Sequence, residues 1–83
     1  MEKVGIKAVV CLKVKTSEGA ADKILETLRS IKPGVERANM VTGIYDIIVD
    51  VQSENFKSLG ELVAERISGI ENIKSAVTCI VVK

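Results

Sequence analysis

Apolar residues recur at every second position over 4–14, where Val4, Ile6, Ala8, Val10, Leu12 and Val14 share one face. A period of two is that of a β-strand with one buried side. The other face carries Gly5, Lys7, Val9, Cys11 and Lys13 and is mixed rather than polar. After residue 16 the period lengthens. Ala20, Ala21, Ile24, Leu25, Leu28 and Ile31 fall on one side of a helix, and Asp22, Lys23, Glu26 and Arg29 on the other. Ser17 is a good N-cap, Glu18 suits the positive end of the helix dipole, and Pro33-Gly34 stops the segment, so the helix is expected over 17–31. A second strand is expected over 35–41, and Thr42-Gly43-Ile44 is a turn. Beyond it, Tyr45, Ile47, Val49 and Val51 alternate with Asp46, Ile48, Asp50 and Gln52, which makes a third strand and, with so short a connection, a hairpin. Ser53 is placed to cap a second helix with a buried stripe of Phe56, Leu59, Val63, Ile67 and Ile70, and with Lys57, Glu61 and Glu65 opposite. Gly60 lies near that stripe, where close packing of the helix accounts for it, and Gly69 marks the helix end. A last strand is expected over 73–82.

The order is β-α-β-β-α-β, and the two halves echo one another: Val14-Lys15-Thr16-Ser17-Glu18 against Val51-Gln52-Ser53-Glu54, and Gly34-Val35-Glu36 against Gly69-Ile70-Glu71. With right-handed crossovers this order gives a four-stranded antiparallel sheet, strand order 4-1-3-2, with both helices on one face. The expected fold class is thus α+β, a ferredoxin-like sandwich, and residues 1–83 are expected to form a single domain of this kind.

Two helices cover one face of such a sheet. The other presents Val9, Cys11 and Ile48, flanked by Lys7, Lys13, Asp46 and Asp50. Open antiparallel sheets often keep one solvated face. An apolar centre on the middle strands inside a charged rim fits a subunit interface better. Val9, Cys11 and Ile48 are therefore the expected dimer contact.

Composition narrows the chemistry. The chain has 83 residues, 47% of them hydrophobic, enough for a core but little reserve of buried surface. Association with a second copy is a common remedy. A net charge of +1, with both signs scattered, offers no basic footprint for nucleic acid. No run is long enough to span a bilayer, and Lys7 and Lys13 break any signal-like stretch, so a cytoplasmic protein is expected. With no His and only two Cys, neither a metal site nor a catalytic residue is expected, and no cofactor is implied. Alternation assigns Cys11 to the bare face and Cys79, with Ile73, Val77 and Val81, to the helix side, so no disulfide between them is expected.

Gly43 is the residue most indicative of binding. Glycine supplies the positive φ of a hairpin turn, and it also leaves backbone N–H groups open to an anion such as a carboxylate. Asp46, beside it and facing away from the helices, is an acceptor for an ammonium group or simply a solvated carboxylate. Glu61 and Glu65, an i, i+4 like-charge pair, are either a solvated helix face or an acidic wall. Tyr45 is expected on the core side, its hydroxyl hydrogen-bonded.

The βαββαβ order, the segment Val41-Thr42-Gly43-Ile44-Tyr45-Asp46 leading into a strand, and Gly69-Ile70 followed by a strand with Thr78 resemble the effector-binding (RAM) domain of Lrp/AsnC transcription regulators. The resemblance covers essentially the whole chain. It implies dimers formed through the sheets, assembly of dimers into rings, and amino-acid effectors bound at interfaces near the β2–β3 turn. It makes Thr42, Gly43, Ile44, Tyr45, Asp46 and Thr78 the effector-site candidates, with Glu61, Glu65 and Ser75 as weaker ones matched by position and polarity. Full-length members carry an N-terminal helix-turn-helix domain and this chain has none. The expectation is a stand-alone RAM protein that does not bind DNA directly and acts through a partner such as a full-length Lrp/AsnC regulator. Two alternatives share the fold. An ACT-type regulatory subunit would co-purify with a metabolic enzyme. A small dimeric α/β-barrel enzyme would need a base or cofactor ligand that a chain without His and with one Tyr does not offer.

Overall fold

The computed structural model describes residues 5–15 and 19–82. Val4 and the expected cap residues Ser17 and Glu18 lie outside the described residues. The unbroken alternation of the first segment forms strand β1 (Ile6–Val14), with Ala8, Val10 and Leu12 buried between half-buried or exposed neighbours. Helix α1 (Ala20–Arg29) buries Ala20, Ile24 and Leu28, and Gly19 precedes it with φ +76°. Its far end is tied to the next strand: Arg29 Nε and Nη2 both donate to Ala38 O, at 3.1 and 2.8 Å. Strands β2 (Val35–Met40) and β3 (Ile47–Ser53) form the hairpin. Helix α2 (Phe56–Glu61) runs into a π-helical stretch, Leu62–Ile67, and strand β4 (Ile73–Ile80) closes the fold.

The sheet order is β2-β3-β1-β4, every neighbouring pair antiparallel, as the element order requires. Leu12, Leu28, Ile47, Ile67, Val10, Val49 and Val51 form the fully buried centre. Each such side chain contributes about 1.5–3 kcal/mol relative to exposure. Among the described residues the core holds no buried polar or charged side chain. Chemistry is therefore confined to the surface and to whatever interfaces the surface makes.

Four expectations are corrected. Ser53 does not cap the second helix; it ends β3, and the cap is Asn55, whose Oδ1 accepts from Ser58 N at 2.8 Å. Phe56, first in the helix, is 67% exposed, and Leu62, at 8%, is in the core instead. The cause is the wide turn, in which Ser68 N donates to Val63 O: it adds a residue per turn and lets Leu62 and Ile67 both reach the sheet. The third correction is Gly60, where an added Cβ meets no atom within 4 Å, so close packing does not explain it. Gly60→Ala is accordingly expected to stabilise the fold by up to about 1 kcal/mol, read as a rise in melting temperature.

The fourth concerns β4. A bulge shifts the β1–β4 register between Lys13 and Val14, which pair with Ser75 and Ile73. The extra residue reverses the parity of everything after it. Ile73 stays on the helix side, but Val77 pairs with Cys11 and Cys79 with Val9, so both lie on the bare face. Val81, whose N–H donates to Lys7 O, continues that row. Cys11 and Cys79 thus share a face rather than pointing apart.

Candidate functional site

Thr42, Gly43 and Ile44 form the tip of the β2–β3 connection, all exposed, with Ile44 at 76%. Gly43 has φ +134°, a region that side chains resist, and nothing lies within 4 Å of where its Cβ would be. The glycine is required by the backbone and the space beside it is open. Below the tip the hairpin is closed by Val41 N donating to Asp46 O and by Asp46 N donating to Leu12 O, both at 2.9 Å. Tyr45 is half-buried but does not pack in the core, and its hydroxyl makes no hydrogen bond among the described residues, contrary to the expectation for it.

Asp46 has a task that sequence spacing did not reveal. Its Oδ2 accepts from Val14 N at 2.8 Å. The β1–β3 ladder ends at the Leu12–Ile47 pair, and the carboxylate takes up the next amide of β1 on that side, beyond the end of the ladder. One of the two carboxylate oxygens is thereby committed to the fold, tying the turn to the end of β1. Ser75 pairs with Lys13 at this same end of the sheet. Thr78 pairs with Val10, further along, on the helix side of an edge strand where it is exposed.

Glu61 and Glu65 are not near the turn. They line a groove of about 500 Å³ with Pro33, Gly34, Gln52 and Arg66. That groove lies at the opposite end of the sheet, where Ser53 pairs with Ile6 and Gln52 N donates to Gly34 O. It collects one member of each echo noted in the sequence, Gly34 from the first half and Ser53-Glu54 from the second. In one chain, then, the structure brings Thr42, Gly43, Ile44, Tyr45, Asp46 and Ser75 to one end, and leaves Glu61 and Glu65 at the other.

The bare face is wider than Val9, Cys11 and Ile48. Cys11 sits between Ile48 and Val77, and Val9 between Asp50 and Cys79. Val77 and Val81 are 43% and 46% exposed, so the apolar area reaches across β4. Lys7 and Lys13 are exposed at the rim, and Asp50 lies 4.0 Å from Arg37 Nε. That ion pair is solvated and contributes at most about 1 kcal/mol. The Cys11 thiol is pushed above its ordinary value by burial, and further by the Cys79 thiol beside it. No helix of the described residues is long and apolar enough to cross a membrane.

The sequence profile of the Lrp/AsnC ligand binding domain matches residues 7–83. No curated protein sequence matches the chain. Among solved structures, FFRP-DM1 is 27% identical over 93% of this chain and 99% of its own, with a TM-score of 0.84. The hypothetical protein PHS023 from Pyrococcus horikoshii is 27% identical over 94% of this chain and 90% of its own, with a TM-score of 0.82. A transcriptional regulator from Neisseria meningitidis, solved in complex with L-Met, is 16% identical but has the same fold at a TM-score of 0.88; the match takes in 98% of this chain and 52% of that one. With the profile running from β1 to the last residue and the sheet order and helix placement in agreement, the chain belongs to the Lrp/AsnC ligand-binding domain family, a regulatory family rather than an enzyme family.

Proposed function

We propose that residues 1–83 act as one self-associating, amino-acid-sensing domain in the cytoplasm, which influences transcription by joining a partner such as a full-length Lrp/AsnC regulator. The observation that carries this reading is the turn at Gly43, an open backbone at φ +134° beside a carboxylate. A free amino acid presents a carboxylate and an ammonium, and such a site offers both complements: backbone N–H groups for the first and the remaining Asp46 oxygen for the second. The L-Met bound to the Neisseria regulator is a ligand of that class.

A second copy is part of the proposal. The acidic groove of Glu61 and Glu65 and the turn are at opposite ends of one chain, so a site using both is completed only between subunits. Dimers form through the bare face, and a ring of dimers sets the turn of one copy near the groove of another. DNA contact belongs to the partner, because both helices are spent covering the sheet and the net charge of +1 releases few counterions. The pure chain should leave duplex DNA unshifted in a gel at low salt.

The test is a thermal-shift screen of the pure protein against the twenty amino acids, with mass followed by light scattering. At least one amino acid should raise the melting temperature, and a ligand at a hundred times its Kd adds about 2.7 kcal/mol. A protein that stays one chain in mass and responds to none of them would sink the sensing reading.

A further inference from the structure

The β2–β3 hairpin ends in apolar side chains that nothing in the chain covers. Ile44, at the tip, is 76% exposed, and Met40 and Val41, just before the turn, are exposed as well. Single apolar side chains on a surface need no explanation, but a group of them at one tip does. Packing of the bare face does not supply it, because Ile44 lies beyond the last β2–β3 pair, Met40 with Ile47. The groove at the other end of the chain has the complementary character. Pro33 and Leu62 give it an apolar part, Glu61 and Glu65 line it, and its volume of about 500 Å³ holds an aliphatic side chain with room to spare. The charges also oppose one another. The strand ends beside the turn carry Lys13, Lys15 and Lys74, all exposed, against Asp46, which is bonded to Val14 N, and Glu71. In the lining of the groove the carboxylates outnumber the one cation, Arg66.

We propose that Ile44 of one copy seats in the groove of a second copy, against Pro33 and Leu62, with the lysines beside the turn facing Glu61 and Glu65. The inference rests on the reading above, in which copies meet turn to groove, and it assigns the anchor that holds them. Tip and groove are different surfaces of the chain, so the contact is head-to-tail, and every copy offers one of each. Burial of Ile44 removes apolar surface from water at the centre of the contact. The charges around it set the pairing: tip against tip brings lysines together, groove against groove brings carboxylates together, and only tip against groove sets opposite signs face to face.

The experiment follows the mass of the full chain by light scattering over a dilution series, with no amino acid present. The wild type should exceed the mass of a dimer as concentration rises. Ile44→Glu loses the apolar anchor and sets a carboxylate against carboxylates, so it should weaken the contact at least about tenfold and fall back to the dimer. Ile44 is exposed in the single chain, so the variant keeps its fold, which circular dichroism verifies. Glu61→Lys combined with Glu65→Lys, also at exposed positions, should have the same effect from the groove side. A mixture of the two variants should be heavier than either alone, because one still has its groove and the other its tip. Unchanged mass in Ile44→Glu would overturn the docking, and so would a mixture no heavier than its parts. A wild type that stays a dimer at every concentration, yet melts higher with an amino acid, would overturn the docking and leave the sensing reading standing.

Discussion

Replacing Val9 with lysine is expected to reduce the mass of the protein in solution to that of one chain while leaving its circular dichroism unchanged. Val9 is on a central strand but on the face away from the core, half-buried among Cys79, Cys11 and Asp50. The core residues next to it, Ala8 and Val10, point the other way and are untouched. In a single chain the new ammonium has solvent, and Asp50 directly opposite, to satisfy it. Between two packed sheets it has neither in full. Burying a charge without a complete set of partners costs several kcal/mol, and about 1.4 kcal/mol is a tenfold change in an equilibrium. Dimerisation should therefore weaken at least about a hundredfold. Sedimentation or light scattering across a dilution series reads this directly. An unchanged mass with an intact fold would remove the sheet face as the interface and leave Val9, Cys11 and Ile48 solvated.

The width of that face depends on a feature that alternation alone does not disclose. β1 and β3 were legible because their period of two is unbroken and each has one clearly apolar side: Ala8, Val10 and Leu12, then Ile47, Val49 and Val51. From these and the two amphipathic segments the element order and the spatial order of the strands followed. β4 has apolar residues on both sides, with Ala76 and Ile80 on one and Val77 and Val81 on the other, so its register cannot be read from hydropathy. One bulge opposite Val14 then decides the face, and it moved Val77, Cys79 and Val81 onto the bare side. The second helix was legible in part. A period of 3.6 counted from Phe56 places Leu59, Val63, Ile67 and Ile70 against the core, as found, but the wide turn over Leu62–Ile67 also brings in Leu62, and Phe56 stays exposed. At the turn, Gly43 was legible because positive φ has a sequence signature. The hydrogen bond from Val14 N to Asp46 was not, since it joins residues 32 apart in the chain, just beyond the last β1–β3 pair.

That bond changes how the effector site must be tested. Asp46→Ala removes the acceptor of the Val14 amide as well as any contact with a ligand. Losing the partner of a half-buried donor costs about 1–3 kcal/mol, and for a domain of this size each kcal/mol lowers the melting temperature by roughly 4–8 °C. Weak binding by Asp46→Ala alone would therefore say little about recognition. Asp46→Asn separates the two roles. Its amide oxygen still accepts from Val14 N, so most of the stability should return, while the negative charge that would meet an ammonium is gone. A charge-assisted hydrogen bond contributes about 1.5–3 kcal/mol, so Asp46→Asn should bind the amino acid found in the screen at least about tenfold more weakly at nearly wild-type stability. Gly43→Val is the complementary change. It forces a β-branched residue to φ +134°, a strain of order 1–3 kcal/mol, and fills the space on the open side of the turn. Calorimetric titration of the wild type and the three variants, each with its melting temperature, gives the answer. Wild-type affinity in both Asp46→Asn and Gly43→Val would move the effector away from this turn. Lost affinity in Asp46→Asn without lost stability is the result that ties the carboxylate to the ligand rather than to the fold.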